Sequence, residues 1–118
     1  MKKYLLFTTA TGHTDDDDML SNSGACLIDD FDTIEECIKR AREDLLAEAT
    51  DTAINAVDEP TDEDEVNDYI QMYLHDTEVY DLTEIDFPRV GACRNVIESE
   101  YHSDTWCDSR VYTIVRIA

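Results

Sequence analysis

At 118 residues the chain has room for a single αβ domain, expected over 1–118, with one hydrophobic core and not two. Its 42% hydrophobic content predicts folding despite a formal charge of -20, from 29 acids against 9 Lys and Arg. That charge opposes direct contact with DNA or RNA, whose phosphates call for clustered bases, and no apolar run approaches the roughly 20 residues that cross a membrane.

The chain opens MKKYLLFTTATG. Two lysines precede an apolar run, but the run ends at Phe7, too short for the apolar segment of a signal peptide, so a cytoplasmic location is expected. Lys2 to Thr9 reads as a strand with Leu5 and Phe7 on one face and Tyr4 and Leu6 on the other. Burial of both faces would make it central. Thr11 to Ser23 reads as a polar loop, and Gly24 to Asp29 as the return strand of a hairpin.

Phe31 to Val57 is the longest element, an amphipathic helix with Ile34, Ile38, Ala41, Leu45, Ala49, Ala53 and Val57 along one stripe. Asp32 is the expected N-cap, Glu35 closes a capping box, and Thr50 is the candidate break point. Pro60 interrupts helical structure. A second helix follows, capped by Thr61 or Asp62, with acids in its first turn and Val66, Tyr69, Ile70, Tyr73 and Leu74 as its packing stripe. Glu78 to Thr83 is expected as an edge strand and Glu84 to Arg94 as irregular. Asn95 to Tyr101 reads equally as strand or helical turn, and Arg110 to Ile117 as a strand with Val111, Thr113, Val115 and Ile117 on one side. The assembled expectation is an α+β fold: a mostly antiparallel sheet of 4–5 strands with two acidic helices packed on one face.

The opening YLLFTT followed by GACLIDDFDTIEECIKRA resembles the hairpin-then-helix start of many small phage and bacterial αβ proteins. The resemblance lies within 4–41 and implies a fold without an activity.

No catalytic motif is written in the chain. Cys26, Cys37, Cys93 and Cys107 form no C-x-x-C pair and are expected to be reduced and mostly buried. Asp15 to Asp18 beside His13 lack the alternation and glycine of a calcium loop. His102, Asp104, Cys107 and Asp108 are zinc-competent types without a distant second pair. Cys107 with His102, or Cys93 with His75, can be paired on paper, but no nucleophile elbow or phosphate loop accompanies them. The expectation is therefore no enzyme, no cofactor and no metal.

Charge is sorted along the chain. Residues 43–88 hold sixteen acids and no Lys or Arg, residues 4–38 nine acids and none, and residues 89–118 four of each. Carboxylates at i and i+4 on a helix lie about 5–6 Å apart, comparable to neighbouring phosphates. Duplex DNA carries one charge per about 1.7 Å of axis, so a deficit of 20 matches the phosphates of roughly ten base pairs. The expected partner-binding residues are Glu43, Asp44, Glu48, Asp51, Asp58, Glu59, Asp62, Glu63, Asp64, Glu65, Asp68, Tyr69 and Asp76. Tyr69, Tyr73, Tyr80 or Tyr101 would anchor the contact where exposed.

In composition the chain resembles the phage-encoded nucleic-acid mimics that inhibit restriction enzymes, CRISPR effectors or repair enzymes. The resemblance implies a non-catalytic inhibitor whose partner is a basic nucleic-acid-binding protein or ribonucleoprotein, with no direct nucleic-acid or membrane contact. Two alternatives stand beside it: an acidic module for a basic partner unrelated to nucleic acid, and a halophile-type acidic domain without mimicry. A homodimer through the neutral last quarter, with Trp106 and Tyr112, is a further expectation.

Overall fold

The computed structural model describes residues 2–14, 19–102 and 106–118. Strands β1 (Tyr4–Thr14) and β2 (Met19–Phe31) are followed by helices α1 (Ile34–Ala56) and α2 (Glu63–Leu74), then by β3 (Asp76–Val79), β4 (Cys93–His102) and β5 (Trp106–Arg116). The five strands form one antiparallel sheet in the order β2-β1-β5-β4-β3. Both helices lie on one of its faces, as the sequence pattern predicts, and the molecule measures 47 × 33 × 20 Å. No helix is long and apolar enough to cross a membrane.

The strands depart from expectation in length. β1 continues through Thr11 to Thr14 and β2 starts at Met19, where a loop was expected. The polar tract is paired on two sides, since Thr11 faces Asn22 on β2 and Ser109 on β5. Threonine favours the pleated backbone even without burial, so ladder bonds extend where apolar alternation has stopped. β1 is central by position yet apolar-packed on one face only: Tyr4 and Leu6 are buried, whereas Leu5 and Phe7 are half-buried on the other side. The expected edge strand at 78–83 lies earlier, at Asp76–Val79, and the ambiguous segment at 95–101 is strand β4.

α1 begins one residue later than the sequence suggests. Thr33, in extended backbone, is the N-cap, with its Oγ1 accepting from the Glu36 N–H at 3.2 Å and donating to Glu36 Oε1 at 3.1 Å. Thr50 does not break the helix, because its hydroxyl donates to the Leu46 carbonyl at 2.8 Å and stays within the helical turn. α2 starts as predicted at Asp62, whose Oδ1 accepts from the N–H groups of Asp64 and Glu65.

The core lies between helices and sheet. Ile34, Cys37, Ala41, Leu45, Ala49 and Ala53 of α1, and Ile70 and Tyr73 of α2, meet Tyr4, Leu6, Tyr112 and Ile114. A register shift between Asn95 and Ile97 buries both Val96 and Ile97, which simple alternation cannot do. Phe87, after a short 3-10 turn at Glu84–Asp86, stacks edge-on against Tyr4 with ring centroids 5.6 Å apart. Gly91, at φ +91°, turns the chain into β4 and donates its N–H to the Arg116 carbonyl, a conformation that suits glycine.

Two expectations are corrected here. All four cysteines are free, but only Cys37 is buried; Cys26 and Cys93 are exposed and Cys107 is half-buried. Tyr112 is fully buried under the helices, so it supplies no dimer surface.

Candidate partner-binding surface

α1 is about 34 Å long at 1.5 Å per residue. Its N-terminal end adjoins the cations. Lys3 donates to Phe31 just before the helix, Ile117 donates to Lys3, and Gly91 donates to Arg116. These bonds bring Lys2, Lys3, Arg89, Arg94 and Arg116 to that end, with Lys39, Arg40 and Arg42 on the first half of the helix, among the acids Asp29, Asp30, Asp32, Glu35 and Glu36. Arg116 is held there by the Phe87 and Ala118 carbonyls, at 2.8 and 3.0 Å.

The opposite end of α1 carries carboxylates. Asp51, Asp58, Glu59, Asp62, Glu63, Asp64 and Asp68 are all exposed, with no Lys or Arg in the sequence between them, while Glu43 is exposed nearer the helix start beside Arg42. Helix dipoles account for only part of this. Acids in the first turn of α2 face the positive end of its dipole, but α1 has no base in its last turn and is followed at once by Asp58 and Glu59. That placement opposes stability, and no fold requirement explains it.

Three of the expected binding residues turn inward instead. Asp44 Oδ2 accepts from the Tyr112 hydroxyl at 2.6 Å, Glu48 pairs with Arg110 at 3.3 Å, and the Tyr69 hydroxyl accepts from Tyr101 at 3.2 Å. At every third or fourth position of an amphipathic helix some residues border the buried stripe, and there a carboxylate reaches the sheet rather than water. Tyr73 and Tyr101, expected anchors where exposed, are both buried, stacked 5.1 Å apart. Glu65 is half-buried, and Asp76, exposed at the start of β3, lies 3.2 Å from His75.

The inward groups form one polar cluster beneath the helices. Tyr73 donates to Asp108 at 2.9 Å. Burial, reinforced by the neighbouring carboxylate, pushes the hydroxyl pKa of both Tyr73 and Tyr112 well above the ordinary tyrosine value. Burial and Tyr101 push Tyr69 up to about 12. Burial works against the Arg110 charge, but Glu48 and Tyr112 outweigh it and hold the guanidinium above its usual pKa. Such a cluster ties the helices to the sheet through Tyr73–Asp108, Tyr112–Asp44 and Arg110–Glu48.

Sequence reasoning missed the apolar residues among the acids. Leu46 and Ile54 on α1 and Met72 on α2 are exposed. Leu46 and Ile54 each follow a buried stripe position by one residue, and this adjacency is the only sequence signal for them.

The candidate metal sites fall largely outside the described residues. Among the described residues no group of three His, Cys, Asp or Glu could hold a metal ion. His102 pairs with Glu100 at 3.2 Å, while Asp104 and Asp15 to Asp18 lie outside the described residues. Comparison with protein families, curated proteins and solved structures finds no match to this chain.

Proposed function

We propose that this protein is a non-catalytic inhibitor that occupies the nucleic-acid site of a basic nucleic-acid-binding protein or ribonucleoprotein, such as a restriction, CRISPR or repair enzyme, through its acidic helical end. The observation that carries the reading is the run of exposed carboxylates around the end of α1 and the turn into α2, with no Lys or Arg among them, whereas the start of the helix mixes Lys39, Arg40 and Arg42 with Asp32, Glu35 and Glu36. An acidity that served solubility alone would have no reason to be sorted. A channel that evolved to attract phosphates attracts the carboxylate end by the same field, and steering would orient the molecule with its mixed-charge end outward. Leu46, Ile54 and Met72 give this surface apolar contacts of the kind that supply affinity once charge has supplied approach.

The test is competition. Labelled duplex DNA or guide RNA is bound to a panel of restriction, CRISPR-effector and repair enzymes, and the protein is titrated in at low and high salt. Displacement from at least one class that weakens steeply as salt rises supports the proposal. Binding to a basic protein without displacement supports the alternative of an acidic module unrelated to nucleic acid.

A further inference from the structure

Among the described residues no layer covers the sheet face turned away from the helices, and the composition of that face changes across the strands. Where β2, β1 and β5 adjoin, Leu27 is 57% exposed, and register places it beside Phe7 and near Leu5 and Val115. Two strands on, Glu98 sits opposite Val111 and Glu78 opposite Glu98, with Glu100 opposite Asp76 in the next row. Like charges facing each other across strands destabilise a sheet. Tyr80 relieves one pair by sharing its hydroxyl proton between Glu98 and Glu78, at 2.7 and 3.2 Å, and this hydroxyl together with the Asn95 amide N–H holds Glu98 below the usual carboxylate range. A shallow groove of about 620 Å³ lies along this acidic side and reaches Val111.

We infer that this open sheet face is a second docking surface, and that its occupant is a cationic amphipathic segment of a protein partner. Charge complementarity selects that occupant. Among the paired strand residues of the open face no Lys or Arg occurs, and Lys3, which alternates with Leu5 just before β1, is at the far end from Glu78, Glu98 and Glu100, so a second copy of this chain would bring carboxylates against carboxylates on the acidic side. The spacing is equally specific: strands lie about 4.8 Å apart and Glu98 sits two residues along from the row of Phe7, so Phe7 on β1 and Glu98 on β4 are separated by about 12 Å. Two turns of a helix span about that distance, so an apolar anchor followed two turns later by Lys or Arg fits both halves of the face. This surface is independent of the acidic helical end, and either can fail alone.

The probe is a synthetic helical peptide with leucines in its first two turns and lysines in its last two, titrated into the isotope-labelled full chain while amide and methyl NMR signals are followed. The expected result is saturable shifts at Leu5, Phe7, Val111 and Glu98. Val111→Lys, which places a cation beside Glu98, weakens binding about tenfold, as does Thr9→Lys on the same row. The same two variants leave displacement of nucleic acid through the helical end unchanged, which separates this inference from the proposed function. Shifts confined to α1 and α2, a lack of saturation, or binding indifferent to both variants while circular dichroism shows the fold intact would overturn it.

Discussion

Arg110 is where a single residue matters most, because its guanidinium pairs with Glu48 while its Nε, like Thr8 Oγ1, is buried without a hydrogen-bond partner. Arg110→Ala leaves the carboxylates of Glu48 and Asp108 facing each other's neighbourhood without a cation. Glu48 is partly exposed, so the expected destabilisation is about 1–3 kcal/mol, below that of a fully buried pair. Arg110→Met, which keeps much of the volume, loses no less, since the charge and not the stem is what Glu48 requires; urea denaturation of both variants checks this. The tyrosines give a pH signature. Tyr73 and Tyr112 have raised folded pKa values, so folding favours the protonated hydroxyl. Their contribution is complete below the unfolded value of about 10 and is lost as pH rises toward the folded values. The urea midpoint is therefore expected to fall above about pH 10, and Tyr73→Phe or Tyr112→Phe to flatten that fall.

At the scale of elements, the helix starts decide the sharpest expectations. Thr33→Ala removes the acceptor for the Glu36 N–H, and Asp62→Ala removes the acceptor for two N–H groups of α2. Each is expected to cost about 1 kcal/mol, measured by chemical denaturation, whereas Asp62→Asn keeps the cap and costs little. The same elements show what could be read in advance. The stripe Ile34, Ala41, Leu45, Ala49, Ala53 was legible because helical burial repeats every three or four residues, and the antiparallel sheet with helices on one face follows from it. The Asp32 to Thr33 slip was not, since D-T-I-E-E offers two capping boxes one residue apart and local chemistry cannot rank them. The long β1–β2 hairpin was hidden because Thr, Gly and Ser carry no burial alternation. Of the expected surface acids, Asp44 and Glu48 could not be told from Glu43 and Asp51 without knowing that Tyr112 and Arg110 stand opposite on β5.

For the whole molecule, charge sorting is the central claim. A formal charge of -20 repels itself, but one core with ordinary apolar packing opposes that repulsion. The chain is therefore expected to stay folded in low-salt buffer by circular dichroism, unlike a halophilic domain, which unfolds when screening cations are withdrawn. The most direct measurement is displacement of nucleic acid from a susceptible enzyme by a variant with Asp58→Asn, Glu59→Gln, Glu63→Gln and Asp64→Asn, compared with a variant neutralised at Lys2, Lys3, Arg89 and Arg94. The account predicts that the first loses about tenfold or more in potency with a shallower salt dependence, while the second keeps or gains potency. Equal potency of the first variant and the parent chain would contradict it.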